Sequence, residues 1–165
     1  MPRPAEDPNG LAARLGALYH QLRRLPGLAP LGRVAVAHYD ERQDLLCSFA
    51  HCGETDDPLE TYETRLTDVP SLAILAGGDS PRVVDDLSIY GNNATPHTLA
   101  IRGAGFRSSL TFPIRNGATL LGFVFFNATI PAFFTPAIVA TLAPFTTAIV
   151  AMAAREIESA ATYES

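Results

Sequence analysis

The sequence predicts an α+β domain built on one antiparallel sheet, and three observations predict it. Two β-hairpin signals stand in the chain, each a pair of runs rich in β-branched and aromatic residues joined by a polar turn. Helical stretches with an apolar seam enclose the hairpins, one near each end. Between the hairpins lies an irregular segment of turn-formers and short apolar pieces, giving the order helix, hairpin, insertion, hairpin, helix that suits an α+β domain with a single sheet. At 165 residues the chain fits one domain, and 47% hydrophobic against 18% charged residues supplies enough apolar surface to offset chain entropy.

Asp7-Pro8 reads as an N-cap followed by proline at the first helical position, and Pro26-Gly27 closes the segment. Inside it Leu11, Leu15, Leu18, Leu22 and Leu25 step by four and three, which gathers the leucines into one narrow seam. Arg33 to Asp40 and Leu45 to Cys52 form the first hairpin around Glu41-Arg42-Gln43-Asp44. The stretch from Gly53 to Asn93 holds an extended piece near Leu59 to Leu66, a short helix near Val69 to Ala76 and a brief strand at Arg82 to Val84. Thr95-Pro96 opens a further short helix that stops at Gly103-Ala104-Gly105. The second hairpin pairs Arg107 to Ile114 with Ala118 to Ala128 across Asn116-Gly117, the strongest short turn signal in the chain. Thr135 caps and Pro136 starts the last helix, whose Ile138, Leu142, Phe145, Ile149 and Met152 again step by four and three, with Pro144 expected to kink it. The sheet should therefore have five to six strands. Residues 1–8 are expected to form a flexible N-terminus, 9–160 the domain, and 161–165 a tail that leads toward an output domain.

Charge and cysteine usage narrow the function classes. All 12 basic residues are arginine, the net charge is -5 and Arg23-Arg24 is the densest basic patch, so a nucleic-acid footprint is missing. The opening MPRPAEDPNG has acids and prolines where a secretion signal needs an apolar core. Cys47 and Cys52 are too few for a disulfide framework or a four-thiolate metal site, which makes a reducing cytoplasm the expected location. No charged side chain occurs from Asn116 to Ala154, so a membrane span has to be weighed. Thr141, Thr146, Thr147, the central Pro144 and the lack of a basic N-terminal flank favour a buried helix, and no membrane partner is expected.

The run GFRSSLTFPIRNGATLLGFVFFNA, then Phe133-Phe134-Thr135 and the long helix, resembles the GAF family. There a small-Arg-Ser-x-x-x-x-Pro-Ile strand precedes a turn and a Gly-Phe-x-x-Phe strand, and a Phe-Thr pair opens the last helix. PRVVDDL (Pro81 to Leu87) and the helix ending at Gly105 look like the family's middle, so the likeness covers about Val34 to Ile149. The resemblance implies a PAS-like antiparallel sheet with the terminal helices on one face and a small-molecule pocket under the insertion on the other. It also implies a sensory and dimerising module of bacterial signalling proteins. The strand pattern agrees: Leu110, Phe112 and Ile114 share one side, Arg107, Ser109 and Thr111 the other.

A ligand site is therefore expected at Arg107, Ser109 and Thr111, with Tyr62, Asp86, Tyr90, Asn93 and His97 converging on it from the insertion. Its bland counterpart is Arg107 pairing with Asp85 or Asp86, one of which would cap the turn at Leu87-Ser88. Three family chemistries lose their residues here: the chain has no lysine for a cyclic-nucleotide Asn-Lys-Phe-Asp-Glu signature, no cysteine near His97 for a bilin, and none from Gly53 to Gly105 for sulfoxide reduction. No catalysis and no metal are expected, and the cofactor and ligand stay unknown. The rival readings are a haem- or redox-dependent sensor or enzyme using His97 or Cys47 and Cys52, and a pure dimerisation scaffold. Cys47 and His51 are expected on one strand face and Cys52 on the other. A homodimer is expected through the terminal helices, with Leu142 and Ile149 in its interface.

Overall fold

The computed structural model describes residues 10–53, 63–78, 80–89 and 95–164, with only the backbone of residues 97 and 160–164. The elements are α1 (Leu11–Arg24), β1 (Leu31–Asp40), β2 (Leu45–Gly53), β3 (Glu63–Thr64), a 3-10 turn at Leu66–Asp68, α2 (Pro70–Ala76), β4 (Arg82–Val84), α3 (Pro96–Gly103), β5 (Ser108–Asn116), β6 (Thr119–Ala128) and α4 (Pro136–Glu164). The strands form one six-stranded antiparallel sheet in the order β3-β2-β1-β6-β5-β4. Both predicted hairpins are present, and they meet where β1 pairs β6.

Local chemistry accounts for the boundaries. Gly10, extended rather than helical, is the N-cap of α1, which starts at Leu11; the start expected at Asp7-Pro8 lies outside the described residues. Asp44 takes φ +50° in the first hairpin turn, a conformation Asp tolerates better than most residues. The second turn has Gly117 at φ +59° as its first loop residue after the Asn116–Thr119 pair. Thr95 caps α3 by accepting the Thr98 amide at 3.3 Å, and Thr135 caps α4 by accepting the Ile138 amide at 3.3 Å. α4 is one helix through Pro144 and runs to Glu164.

The sheet separates two environments. On its back, Val34, Val36, Leu110, Ile114, Val124 and Phe126 pack against Leu11, Leu15, Tyr19 and Leu22 of α1 and Leu142, Ile149, Ala153 and Ile157 of α4. The predicted α1 seam thus faces the sheet, with Leu18 and Leu25 at its margin. Leu142 and Ile149 are wholly buried in this core, which corrects their assignment to a dimer interface: the sheet consumes the seam of α4, and the outer face of Ala140, Ala143, Thr147, Ala148 and Ala151 is what remains exposed. By length and composition the stretch Pro136–Ser159 could cross a membrane; here it lays its buried stripe on the sheet.

The front carries two smaller apolar clusters. Ala35, Ala37, Phe123 and Phe125 pack under Leu66, Val69, Leu72 and Leu75, while Val84 packs with Leu87, Ile101 and Phe106. Each cluster holds one short helix, α2 or α3, above the sheet.

A register break in β2 alters which side chains share a face. Val36 pairs with Ala50 but Ala37 with Ser48, so Phe49 is an extra residue in a bulge. Cys47, opposite His38, and Cys52, opposite Val34, consequently lie on the back, whereas His51, opposite Ala35, lies on the front. The expected pairing of Cys47 with His51 on one face is overturned by that single inserted residue.

Candidate functional site

The register brings two rows of side chains across the front of the sheet. Arg33, Asn127, Ser109 and Val84 stand opposite one another on β1, β6, β5 and β4, and Ala35, Phe125, Thr111 and Arg82 form the next row. Above these rows, in the gap between the two front clusters, lies a cavity of about 250 Å³. Its floor is Arg82, Ser109, Thr111, Phe125 and Asn127; its sides are Val69 to Leu72 at the start of α2, Thr95, Thr98 and Ile101 of α3, and Leu87. The mixture of an apolar lining with a few convergent polar groups is what a small-molecule pocket requires.

The polar floor is buried and only partly satisfied. Ser109, Thr111 and Asn127 are 8%, 3% and 3% exposed. Asn127 Oδ1 accepts a 2.7 Å hydrogen bond from Nη1 of Arg33, itself buried at the head of the first row. Neither the Asn127 Nδ2 nor the hydroxyl of Ser109 or Thr111 makes a hydrogen bond among the described residues. These groups open on the cavity, where a solute or water can pair them, as buried polar residues normally require.

The expected site residues separate into three groups. Ser109 and Thr111 face the cavity. Arg107 and Asp86 pair instead with each other: Nη2 of Arg107 lies 3.2 Å from Oδ2 of Asp86, and Nε 3.4 Å from Oδ1. Asp86 also accepts the Ser88 amide at 3.0 Å and the Ser88 hydroxyl at 2.8 Å. The Ser88 contacts, then the Arg107 guanidinium, hold its carboxyl below the usual carboxylate range. Arg107 and Asp86 thus take up the pairing that stood as the alternative to a ligand role, with Asp86 capping the turn at Leu87-Ser88. The pair fixes the loop after β4 to the start of β5, with the Leu87 amide bonded to the Arg107 carbonyl at 2.7 Å, and neither side chain lines the described cavity wall. Tyr62, Tyr90 and Asn93 lie outside the described residues, as does the side chain of His97, whose backbone is in the first turn of α3.

Sequence reasoning missed Arg82 and Asn127. Both sit on strands read correctly, and both signals lie in register: Arg82 is opposite Thr111, and Asn127 opposite Ser109.

Neither cysteine reaches this cavity. Cys47 is buried on the back with Sγ 3.9 Å from Oε1 of Glu63, and burial, then the Glu63 charge, pushes its thiol up, away from the thiolate form that nucleophilic or redox chemistry uses. Cys52 faces α1, where a Cβ on Gly16 would meet its Sγ at 3.8 Å. Among the described residues no group of three or more His, Cys, Asp or Glu side chains could hold a metal ion.

The architecture is shared with solved structures. The GAF domain of PixJ from Thermosynechococcus elongatus superposes with a TM-score of 0.62 at 16% identity, covering 93% of this chain and 90% of that one. The GAF domain of the Acinetobacter phosphoenolpyruvate-protein phosphotransferase gives 0.60 at 13% identity, covering 89% and 84%. A type II free methionine-R-sulfoxide reductase from Thermoplasma acidophilum gives 0.62 at 16%, covering 88% and 92%. Larger neighbours are covered only in part: the chain spans 57% of the chromophore-binding domain of bacteriophytochrome RpBphP3 from R. palustris. The sequence matches no family model and no curated protein. The fold is that of a GAF domain.

Proposed function

We propose that the chain is a sensory GAF-type module of a signalling protein that binds a small organic molecule in the cavity between α2, α3 and the sheet. One observation carries this reading: three buried polar side chains on the sheet floor, Ser109, Thr111 and Asn127, open on a cavity in which they still have hydrogen-bonding capacity. A solute that completes those bonds would bind this arrangement of the insertion better than a looser one, and that difference in affinity is the signal. Two of the solved GAF neighbours have a bilin bound, phycocyanobilin in one and phycoerythrobilin in the other. A tetrapyrrole is larger than the cavity described here and would find no cysteine on its wall, so a smaller, non-covalent ligand fits better.

The module is proposed to be non-enzymatic, cytoplasmic and homodimeric, passing its signal to an output domain. The uncharged outer face of α4, exposed along Ala140, Ala143, Thr147, Ala148 and Ala151, supports a helix-mediated dimer. Tyr62, Tyr90, Asn93 and His97 stay candidates for further ligand contacts.

A thermal-shift screen against amino acids, nucleotides and small organic acids tests the reading. A ligand at about 100 times its Kd adds about 2.7 kcal/mol to native stability. For a domain of this size that raises Tm by about 5–11 °C. Ser71→Trp, which places a ring in the cavity from the start of α2, should abolish the shift while leaving the unliganded Tm close to wild type. A screen in which every hit binds Ser71→Trp equally well contradicts it.

A further inference from the structure

The cavity wall offers donors where most pockets mix donors with acceptors. Arginine is a donor only, so the Asn127 amide atom 2.7 Å from Nη1 of Arg33 must be its oxygen. The amide is thereby fixed, with its oxygen committed to a buried guanidinium and its NH₂ turned to the cavity that Asn127 lines. Arg82, standing opposite Thr111 on the described wall, adds a guanidinium whose five N–H donors outnumber what one partner can take up. Thr95 donates its hydroxyl to the Thr98 oxygen at 3.2 Å, which leaves the Thr98 proton to point elsewhere. Ser109 and Thr111 supply hydroxyls that turn to suit a ligand.

From this arrangement we infer that the ligand is a small organic monoanion, a carboxylate, held head-down on the sheet by Asn127, Thr111 and Arg82, with its apolar part against Phe125, Leu72 and Ile101. Charge-assisted bonds to a carboxylate are about twice as strong as neutral ones, and a carboxylate accepts every donor that the floor presents. A neutral amide would set its own NH₂ against the Asn127 NH₂. Size agrees: at about 30 Å³ per water, the cavity holds the equivalent of about eight waters, room for a ligand of roughly ten non-hydrogen atoms. Arg33 acts through Asn127 as a positioning residue. The inference rests on the reading of the cavity as a ligand site and names the chemistry that site selects.

The test compares matched pairs, benzoate with benzamide and hexanoate with hexanamide, by thermal shift and calorimetric titration on the whole chain. Carboxylates should raise Tm and the amides should not. Arg82→Gln should weaken carboxylate binding about tenfold to a hundredfold, the range for losing a bond to a charged group. Asn127→Asp is the sharper variant, because its carboxylate keeps a partner for Arg33 while turning an acceptor to the cavity. It should retain a Tm near or above wild type and lose carboxylate binding by at least as much. Amides that bind as well as the carboxylates, or carboxylate binding that survives Asn127→Asp, overturn the inference and leave the sensory module standing. Silence from both sets also overturns it, whereas the module reading fails only if no hit in the broader screen depends on the cavity.

Discussion

Leu142→Ala measures how firmly the last helix is seated on the back of the sheet. Leu142 is wholly buried among the side chains of α1, α4 and the central strands. Truncation removes about three methylene equivalents, or about 2.4 kcal/mol at about 0.8 kcal/mol each. A retained hole of roughly 60 Å³ adds about 1.5 kcal/mol at about 24 cal/mol per Å³. The sum, about 4 kcal/mol, should lower Tm by about 8–16 °C in a domain of this size. It is smaller than the 5–15 kcal/mol that holds a typical domain together, so the variant should still fold. Urea unfolding followed by circular dichroism reads the loss, with Ala140→Ser on the exposed face of the same helix as the control, expected within about 0.5 kcal/mol of wild type. A Leu142→Ala cost below about 1 kcal/mol, or one equal to the control's, would refute the packing described here.

Four further outcomes can be measured on the whole chain. Asp44 accepts the Tyr39 and Thr67 hydroxyls, each at 2.8 Å, and is held below its usual 3.8, first by the Tyr39 bond and then by Thr67. Its contribution to stability should therefore be complete above about pH 5 and fade as pH falls through the depressed value. Tyr39 is pushed up from 10.0 to about 12, first by burial and then by Asp44, so its contribution is present below pH 10 and lost between 10 and about 12. Unfolding curves across pH check both limbs, and an alkaline limb unchanged in Tyr39→Phe would contradict the second. Gly122→Ala should cost about 3 kcal/mol or more, because at φ +156° the added Cβ would land on the Ala37 carbonyl oxygen and lie 3.2 Å from His38 Cα; an unchanged urea midpoint would place the β1–β6 register elsewhere. Ala148→Glu should halve the mass seen by light scattering without lowering Tm, and a mass equal to wild type would move the proposed dimer contact off the outer face of α4.

Much of the fold was legible because its signals are local. Caps at Thr95 and Thr135, the Gly117 turn and the alternation of Leu110 and Ile114 with Ser109 and Thr111 all act within a few residues of where they are read. The site was legible only in part because its decisive features are relations between strands. Period-two alternation carries a face assignment correctly along β5, yet in β2 the extra Phe49 reverses it for Cys47 relative to His51. Alternation placed Arg107 beside Ser109 and left its partner open between a ligand and Asp85 or Asp86; the choice of Asp86 is made only once β4 pairs with β5. Asn127 gave no sign of its role, since the Arg33 that orients it is 94 residues away in the chain. The apolar period of α4 was correct, but periodicity does not say which surface a stripe meets, and here the stripe meets the chain's own sheet.

The measurement nearest the heart of the account is thiol accessibility at neighbouring positions on β5, with Cys47 and Cys52 replaced by alanine. Thr111→Cys should react with a small methanethiosulfonate reagent and be shielded by a carboxylate that binds, while Leu110→Cys, one residue away and sealed under the helices, should react only as fast as the protein opens, slower by about tenfold or more. Equal rates at the two positions, or faster reaction at 110, would mean that the sheet does not divide an oily back from a hollow front.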